Sequence, residues 1–285
     1  MTAKQLESAL NLMRRMPPSS TETSLTGLTN LVPALTDELL QRVDQPLKTE
    51  MDTKVGKRFI MCDYNRDGDS YRSPWTNEYF PPLEDGFEPS TRIRQLEIEA
   101  NQIFDIYRNL YFDGGNSSVY FWDMDEKSDS TFAACWLVQK DVEGVRGLQN
   151  GCWNSIHVFE VLEKDEDAQR NKLFEYKLTT TVIIAMTVAN DLVGNVNLSG
   201  SMTKQSATTS VVNSDQSHVA NMGKMVEDME LQVRNALEGV YIQKTREVLN
   251  TMRQSSQDTV QMQALRESLA QAVCSRAQAR IQDSE

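Results

Sequence analysis

Residues 151 to 162 read Gly-Cys-Trp-Asn-Ser-Ile-His-Val-Phe-Glu-Val-Leu, and they lie at the centre of the region that decides the fold. Their mixture of β-branched, aromatic and polar residues follows a period of about two, which is typical of a β-strand. Short, polar connections separate the neighbouring segments, so they predict an antiparallel meander without helical crossovers. The sequence therefore predicts a five-stranded antiparallel sheet within an α+β fold. The other four strands are predicted at 118–124, 131–139, 173–188 and 194–203.

Two long helical patterns flank this predicted sheet. One covers 91–112, where Gly114-Gly115 follows and ends the helix. The other begins near 215 and continues to about Arg253, with apolar residues three and four apart from Val219 to Val240. At 1.5 Å per residue the 35 positions from Val219 to Arg253 span roughly 50 Å, so we expect this helix to cross the sheet and extend beyond it. The predicted buried face of the first helix consists of Ile93, Leu96, Ala100, Ile103, Phe104 and Tyr107.

All eight prolines lie at or before Pro89, which marks a boundary in composition. Before this boundary, helix-breaking residues separate short segments whose apolar residues recur at helical spacing. These segments predict a bundle of short helices over 1–50. The predicted organisation continues with a loop-rich globule and connecting helix (51–115), the sheet (116–205), the long helix (215–253) and an amphipathic tail (256–285). The two amino-terminal stripes consist of Leu6, Leu10 and Met13, and of Leu25, Leu28, Leu31, Leu35 and Leu39.

The composition excludes several classes of protein. A formal net charge of −12 over 285 residues disfavours a nucleic-acid-binding protein, which needs clustered Lys and Arg. Four scattered cysteines and two histidines disfavour a zinc site. Charged residues interrupt the amino terminus, and no apolar run reaches membrane-spanning length. We therefore expect a cytoplasmic protein with reduced thiols, without a membrane span, cofactor or metal.

The sequence does not predict an enzyme. Cys152 and His157 are the nearest nucleophile and base in sequence, but a separation of five places them on opposite faces of one strand. No spacing typical of a phosphate-binding loop is present. We expect Cys152 to be a small buried residue and His157 to be a hydrogen-bonded histidine of the sheet.

Residues 63 to 75 resemble a calcium-binding loop but lack an essential ligand. Asp63, Asn65 and Asp67 occupy the first ligand positions of an EF-hand, with Gly68 at the turn. Position 12, which should supply a bidentate Glu, is Pro74. We therefore expect a polar turn, and a calcium-regulated sensor stays a third class of function only if this loop binds the ion.

Several long segments resemble the beta subunit of F-actin capping protein. Together they extend in one order over about 250 residues, which is far more specific than any single motif. The matching segments are 8–18, 43–47, 63–75, 81–86, 111–120, 151–158 and 221–230. The resemblance implies an amino-terminal helical stalk, a sheet that is half of an intersubunit sheet, and an obligate alpha-subunit partner. It also implies calcium-independent capping of the actin filament barbed end, which blocks both addition and loss of subunits.

The carboxy-terminal pattern is that of a narrow amphipathic helix, with Met262, Leu265, Leu269 and Val273 forming its apolar stripe. Two interpretations are open: the stripe packs on the body of the protein, or it binds in a hydrophobic groove of a partner. In the resembled family this segment is a mobile tail that binds a cleft of actin. The stripe residues other than Met262 match the apolar face of that tail.

Between Lys244 and Arg280 there are six basic and three acidic residues, an excess of three positive charges within an acidic chain. The resemblance implies that Lys244, Arg246, Arg253 and Arg266 contact the acidic actin filament. It also implies contacts with phosphoinositides and with protein regulators of capping. The alternative function is that of a cytosolic heterodimeric adaptor, which would use the same terminal helix on another partner.

Overall fold

The computed structural model describes residues 3–13, 20–43, 45–124, 130–142, 148–164, 172–188, 196–237 and 263–271. Two compact units divide the chain, Met1–Glu230 and Leu231–Glu285. The first contains the sheet and most of the helices.

The predicted five-stranded sheet is confirmed. Its strands are β6 (Asn116–Asp123), β7 (Phe132–Val142), β8 (Leu148–Lys164), β9 (Leu173–Val188) and β10 (Val196–Val211). Their spatial order is β10-β9-β8-β7-β6, with antiparallel pairing throughout, so the sheet is a simple meander. Strand β10 extends past the predicted end at 203, because the polar residues that follow continue to pair with β9 as far as Val211.

The amino terminus forms three short helices, α1 (Ala3–Met13), α2 (Thr21–Leu31) and α3 (Thr36–Arg42), as the apolar stripes predict. A 3-10 turn at Pro33–Leu35 joins the last two. Their shared core contains Ala9, Met13, Leu25, Leu35 and Leu39, all buried. The prediction that Leu31 belongs to this stripe is wrong: its side chain is 81% exposed, because α2 ends there and the chain turns at Val32.

Residues 45–90 form small strands and turns packed beside the sheet. Strands β1 (Lys48–Asp52) and β2 (Lys57–Met61) form an antiparallel pair. A three-stranded sheet follows, made of β3 (Arg66–Asp67), β4 (Ser70–Arg72) and β5 (Tyr79–Phe80). On one face of the large sheet, Leu47 and Ile60 join the buried side chains of β6, β7, β8 and β9 in a common core.

Helix α4 (Thr91–Tyr111) packs along β6, with Phe104 stacked on Trp136 at 4.6 Å between ring centroids. Four residues of its predicted apolar face are buried, namely Ile93, Leu96, Ala100 and Phe104. The prediction fails at Ile103, which is 50% exposed, because the buried face is rotated toward two polar residues, Glu97 and Asn101.

Glu97 and Asn101 complete the hydrogen bonding of strand β6. Asn101 Oδ1 accepts from Val119 N at 3.0 Å, and its Nδ2 donates to Val119 O at 2.9 Å, as a neighbouring strand would. Glu97 Oε2 accepts from Phe121 N at 2.8 Å. Because a buried backbone group without a partner is costly, these two side chains complete one edge of the sheet.

Glu97 also forms a buried ion pair with Arg72 of β4. The two side chains are 0% and 2% exposed, and two parallel hydrogen bonds of 2.7 and 2.8 Å join them. Burial alone would lower the pKa of Arg72, but the hydrogen bonds and charge of Glu97 outweigh it and raise that pKa above its ordinary value. Arg94 donates to the same carboxylate, and Asn77 Oδ1 accepts from Arg72. One carboxylate thus connects β4, α4 and β6.

Replacing Glu97 with Ala should lower the free energy of unfolding by about 3–5 kcal/mol, because it leaves Arg72 charged and buried. The matched control is Glu99→Ala on the same helix, where the carboxylate accepts from exposed Gln95 and from no other described residue, so the loss should stay within about 0.5 kcal/mol. Urea unfolding of the purified protein measures both. A loss below about 1 kcal/mol for Glu97→Ala would contradict this role.

Candidate functional site: the tail helix, helix α5 and the terminal strand

The tail helix is the segment 263–271, which is helical and exposed along its whole length. Leu265 and Leu269 are each 67% exposed and lie four positions apart, so their side chains form one apolar stripe. Arg266 and Glu267 are exposed beside it. Large apolar side chains presented together on a helix form a surface suited to a hydrophobic groove.

Three of the eight predicted site residues therefore have a described position, Leu265, Arg266 and Leu269. The structure brings these together on one short helix. The remaining five, Lys244, Arg246, Arg253, Met262 and Val273, lie outside the described residues, as does the predicted part of the long helix beyond 237.

Helix α5 (Asp215–Leu237) is the described part of the long helix, and its seam of Val219, Met222, Val226 and Met229 is buried. Within this seam Glu230 is also buried, 2% exposed. Its Oε1 accepts from Ser155 Oγ at 2.6 Å and lies 3.1 Å from His157 Nε2. His157 Nδ1 lies 2.9 Å from Thr180 Oγ1, and Trp136 stacks on the imidazole ring. These contacts fix the helix on the middle of the sheet.

Sequence reasoning missed the role of Glu230. A signal for it exists, since a carboxylate that falls four residues after Val226, within an apolar seam, needs a buried polar partner. Ser155 and His157 of β8 supply that polar partner. Along this strand they alternate with apolar residues, so both point to the same face of the sheet, the one that contacts Glu230 of α5. The same register confirms that Cys152 and His157 point to opposite faces of β8. Cys152 is half-buried, so the expectation that it is a buried residue is only partly met.

His218, in the first turns of α5, forms the second attachment to the sheet. Its Nδ1 lies 2.7 Å from Tyr176 Oη, which also accepts from Asn221 Nδ2 at 3.2 Å. The rings of Phe132 and Phe174 contact the imidazole edge-on. Its buried Nε2 has no hydrogen-bond partner among the described residues. Burial, aided by the charge of Arg92 and opposed by Asp215, lowers the pKa of His218 to about 4.

The two edges of the large sheet differ. Side chains of α4 cover β6, as shown above, whereas β10 has a neighbouring strand on one side only within the described chain. All side chains from Ser199 to Val211 are exposed or half-buried. A strand of 16 residues at the end of a sheet is a site at which another chain can add its own strands.

In the loop at 63–75, protein groups bond two of the side-chain oxygens that a calcium ion would use, those of Asn65 and Asp67. Asn65 Oδ1 accepts from Cys62 N, and its Nδ2 donates to the carbonyls of Ile60 and Arg72. Asp67 Oδ2 accepts from Phe87 N at 3.1 Å. Among the described residues, no group of three or more His, Cys, Asp and Glu is arranged to hold a metal ion. The hydrogen bonds of Asn65 hold this turn together.

Within the described part of the chain, no helix has the length and apolar character needed to cross a membrane.

The architecture resembles the structure of a homodimeric actin capping protein alpha subunit from Plasmodium berghei, with a TM-score of 0.54 and 14% sequence identity. That likeness covers 89% of this chain and 97% of the other, and it shows the fold.

Sequence similarity identifies the family. The model of "F-actin capping protein, beta subunit" matches residues 6–249. The F-actin-capping protein subunit beta of Drosophila melanogaster is 47% identical over 97% of this chain and 98% of its own. That of Dictyostelium discoideum is 49% identical over 90% and 92%. The chain belongs to the F-actin capping protein beta subunit family.

The neutral burial of His218 predicts a loss of stability in mild acid. In the unfolded chain its pKa returns to about 6.5, so below that value the unfolded state binds the extra proton. The free energy of unfolding is therefore unaffected by His218 above about pH 6.5. It falls as the pH drops from there toward about 4, by at most about 3 kcal/mol. The melting temperature should fall between about pH 7 and about pH 5.

The variant His218→Gln removes the titrating group and should show a flatter melting-temperature profile over the same range, even if it is less stable at neutral pH. Equal slopes for the variant and the unaltered protein would contradict the assignment to His218.

Proposed function

We propose that the protein is the beta subunit of a heterodimer that caps the barbed end of actin filaments, where it blocks both addition and loss of subunits. Membership of the capping protein beta family supports this proposal. The observation that carries it is the exposed apolar stripe of the tail helix, Leu265 and Leu269. Such a stripe is available to a groove on another protein without unfolding anything.

The proposed partner at the terminal strand is the capping protein alpha subunit. Its own strands would add to β10 in register, which extends the meander into a larger sheet shared by two chains. The β6 edge is unsuited to this, because Asn101 and Glu97 already occupy the backbone groups of Val119 and Phe121. Capping activity then belongs to the heterodimer, and the beta chain contributes one tail.

The tail contributes a limited binding energy. Burying a leucine fully yields roughly 1.5–3 kcal/mol, so the two described leucines supply on the order of 3–6 kcal/mol gross. Met262 and Val273 extend the proposed stripe at each end. The conformational entropy lost when the side chains and the segment are fixed in the groove removes part of this gain. The tail therefore acts as one of two or more contacts, which slows dissociation without carrying the whole affinity.

The basic residues are proposed to assist association. Lys244, Arg246, Arg253 and Arg266 belong to a segment with an excess of three positive charges in a chain of net charge −12. An acidic filament surface would attract this segment over a distance and raise the association rate, an effect that salt screens. Anionic phosphoinositide headgroups and acidic regulatory proteins would compete for the same charges.

Capping by this mechanism needs no chemical reaction and no calcium. The proposed activity is stoichiometric occupation of the filament end. Hydrogen bonds within the chain already use Asn65 Oδ1 and Asp67 Oδ2 of the loop at 63–75, and Pro74 stands at the position of the bidentate Glu, which supports calcium independence. The proposed location is the cytoplasm, in association with the actin cytoskeleton.

An adaptor function is the alternative, since an exposed Leu265 and Leu269 stripe would also suit a groove on a protein other than actin. The two functions differ in one measurement, elongation of filaments from seeds with free barbed ends in the presence of the purified heterodimer. Inhibition far below the actin concentration supports capping. No inhibition by a folded heterodimer supports the adaptor.

Replacing Leu265 and Leu269 together with Arg should raise the dissociation rate from barbed ends by ten-fold or more, because about 1.4 kcal/mol of lost binding energy is a factor of ten. The melting temperature should change little, since both side chains are exposed. Single-filament microscopy, which records the duration of capped pauses, measures this rate.

The charge-matched control is Gln263→Arg with Gln271→Arg, which adds the same two charges to the helix away from the leucine stripe. It should leave the dissociation rate within about two-fold of the unaltered protein. Equal effects of the two pairs would assign the change to charge and would reject the stripe as a binding surface.

Hydrogen exchange tests the partner edge. In the heterodimer the β10 amides should exchange as slowly as those of the central strand β8, because the partner's strand would bond the outward-pointing groups. In the absence of such pairing, alternate amides along β10 would exchange quickly while those of β8 stay protected. That pattern in a stable heterodimer would place the partner elsewhere.

A further inference from the structure

Strand β2 and the extended residue after it lie across one face of the large sheet, toward which Ile60 and Cys62 point. Ile60 is fully buried in the core on that face. Cys62 lies two positions further along the chain, so it points to the same side, and it packs against the same core. Hydrogen bonds fix the crossing, since Tyr120 Oη donates to Ile60 O at 2.7 Å and Ile60 N donates to Ser118 Oγ at 2.9 Å.

Cys135 occupies the facing position on the sheet. It pairs in register with Tyr120 across β6 and β7, so it shares the face that β2 covers. Its side chain is 0% exposed and belongs to the core against which Cys62 packs. The pKa of the Cys135 thiol is raised chiefly by burial and further by the neighbouring Cys62 side chain. Two cysteines far apart in sequence are thus neighbours within one core.

Their positions are held from both sides. Asn65 Oδ1 accepts from Cys62 N at 2.9 Å and from Cys62 Sγ at 3.5 Å, while its amide group bonds two further carbonyls. Cys135 is the fourth residue of an eleven-residue strand paired on both edges. The backbone of each cysteine is therefore held in place, and their proximity is a property of the folded chain.

The two thiols differ in their access to solvent. Cys62 is half-buried and lines a cavity of about 580 Å³ beside Leu47, Met61 and Tyr64. Cys135 is enclosed, and burial raises the pKa of its thiol well above the ordinary value. A small neutral oxidant can therefore reach Cys62 first, with Cys135 behind it.

We propose that Cys62 and Cys135 form an oxidation site, at which a peroxide converts the thiol pair into a reversible disulfide that joins strand β2 to strand β7. Hydrogen peroxide oxidises the Cys62 thiol to a sulfenic acid and releases one water. The Cys135 sulfur then attacks the Cys62 sulfur, an S–S bond forms, and the sulfenic oxygen leaves as a second water with the Cys135 proton. The two thiols lose two electrons, which the peroxide accepts.

The high pKa of Cys135 makes the second step slow, because the thiolate is the attacking species. The link therefore responds to sustained oxidant, and thiol reductants reverse it. Once formed it closes a loop of about seventy residues, which restricts the unfolded chain and raises the melting temperature.

Cys152 supplies an internal comparison. It lies on β8, six residues from Val158, the register partner of Cys135, so it is about 20 Å from the pair. Burial raises its pKa to about 11. Cys152 lies on the same sheet and meets the same oxidant in the experiment below, but it has no thiol neighbour among the described residues.

The test exposes the full chain, copurified with its alpha subunit, to hydrogen peroxide. Remaining thiols are then blocked with N-ethylmaleimide, and peptides are mapped by mass spectrometry. The expected product is a Cys62–Cys135 linked peptide that lacks two hydrogen atoms and disappears after dithiothreitol. The oxidised protein should melt at least about 5 °C higher, consistent with closure of a long loop.

Cys135→Val keeps an apolar side chain of similar size in the core and should abolish both the linked peptide and the shift in melting temperature. Cys152→Ser should preserve both. Either of two results would overturn the proposal: both cysteines recovered as maleimide adducts after oxidation, or Cys62 recovered as sulfinic acid while Cys135 stays reduced. Mapping of the unaltered protein decides between these outcomes even if a variant folds poorly.

Discussion

The buried ion pair between Arg72 and Glu97 is the interaction on which the rest of the structure depends. Glu97 accepts from Arg72, from Arg94 and from the backbone of Phe121, so one carboxylate joins the small strands, helix α4 and the edge of the sheet. A carboxylate enclosed in this way is tolerated only because every partner is in place. The pair therefore specifies one arrangement of three elements, where apolar contacts alone would permit sliding.

This arrangement also determines which side of the sheet is available to another chain. Asn101, one turn after Glu97, occupies the backbone groups of Val119 and so completes the β6 edge from within the chain. Strand β10 is left as the terminal strand. The asymmetry explains why a single proposed partner would add at one edge, and it follows from two polar residues on one helix.

Two buried histidine clusters serve helix α5 in a similar way. His157 and Ser155 receive Glu230, while Tyr176 and the rings of Phe132 and Phe174 enclose His218. Polar contacts of this kind set the position of the helix along the sheet, because the apolar seam alone is satisfied by several registers.

The sequence by itself determined the elements. A period of two across 151–162 and its neighbours predicted the five-stranded meander, and periods near 3.6 predicted α4, α5 and the stripe of Leu265 and Leu269. These features are local, since each depends on residues a few positions apart. The resemblance in segments such as 63–75 and 221–230 correctly indicated the family.

The tertiary structure alone decided which polar residues are buried and which apolar residues are exposed. Ile103 fits the pattern of a buried residue yet is half exposed, while Glu97 fits the pattern of a surface charge yet is enclosed. The proximity of Cys62 to Cys135 likewise could not be predicted from their separation in the sequence. The physical reason is that each depends on partners more than twenty residues away in sequence, brought close only when the sheet, its helices and strand β2 pack together.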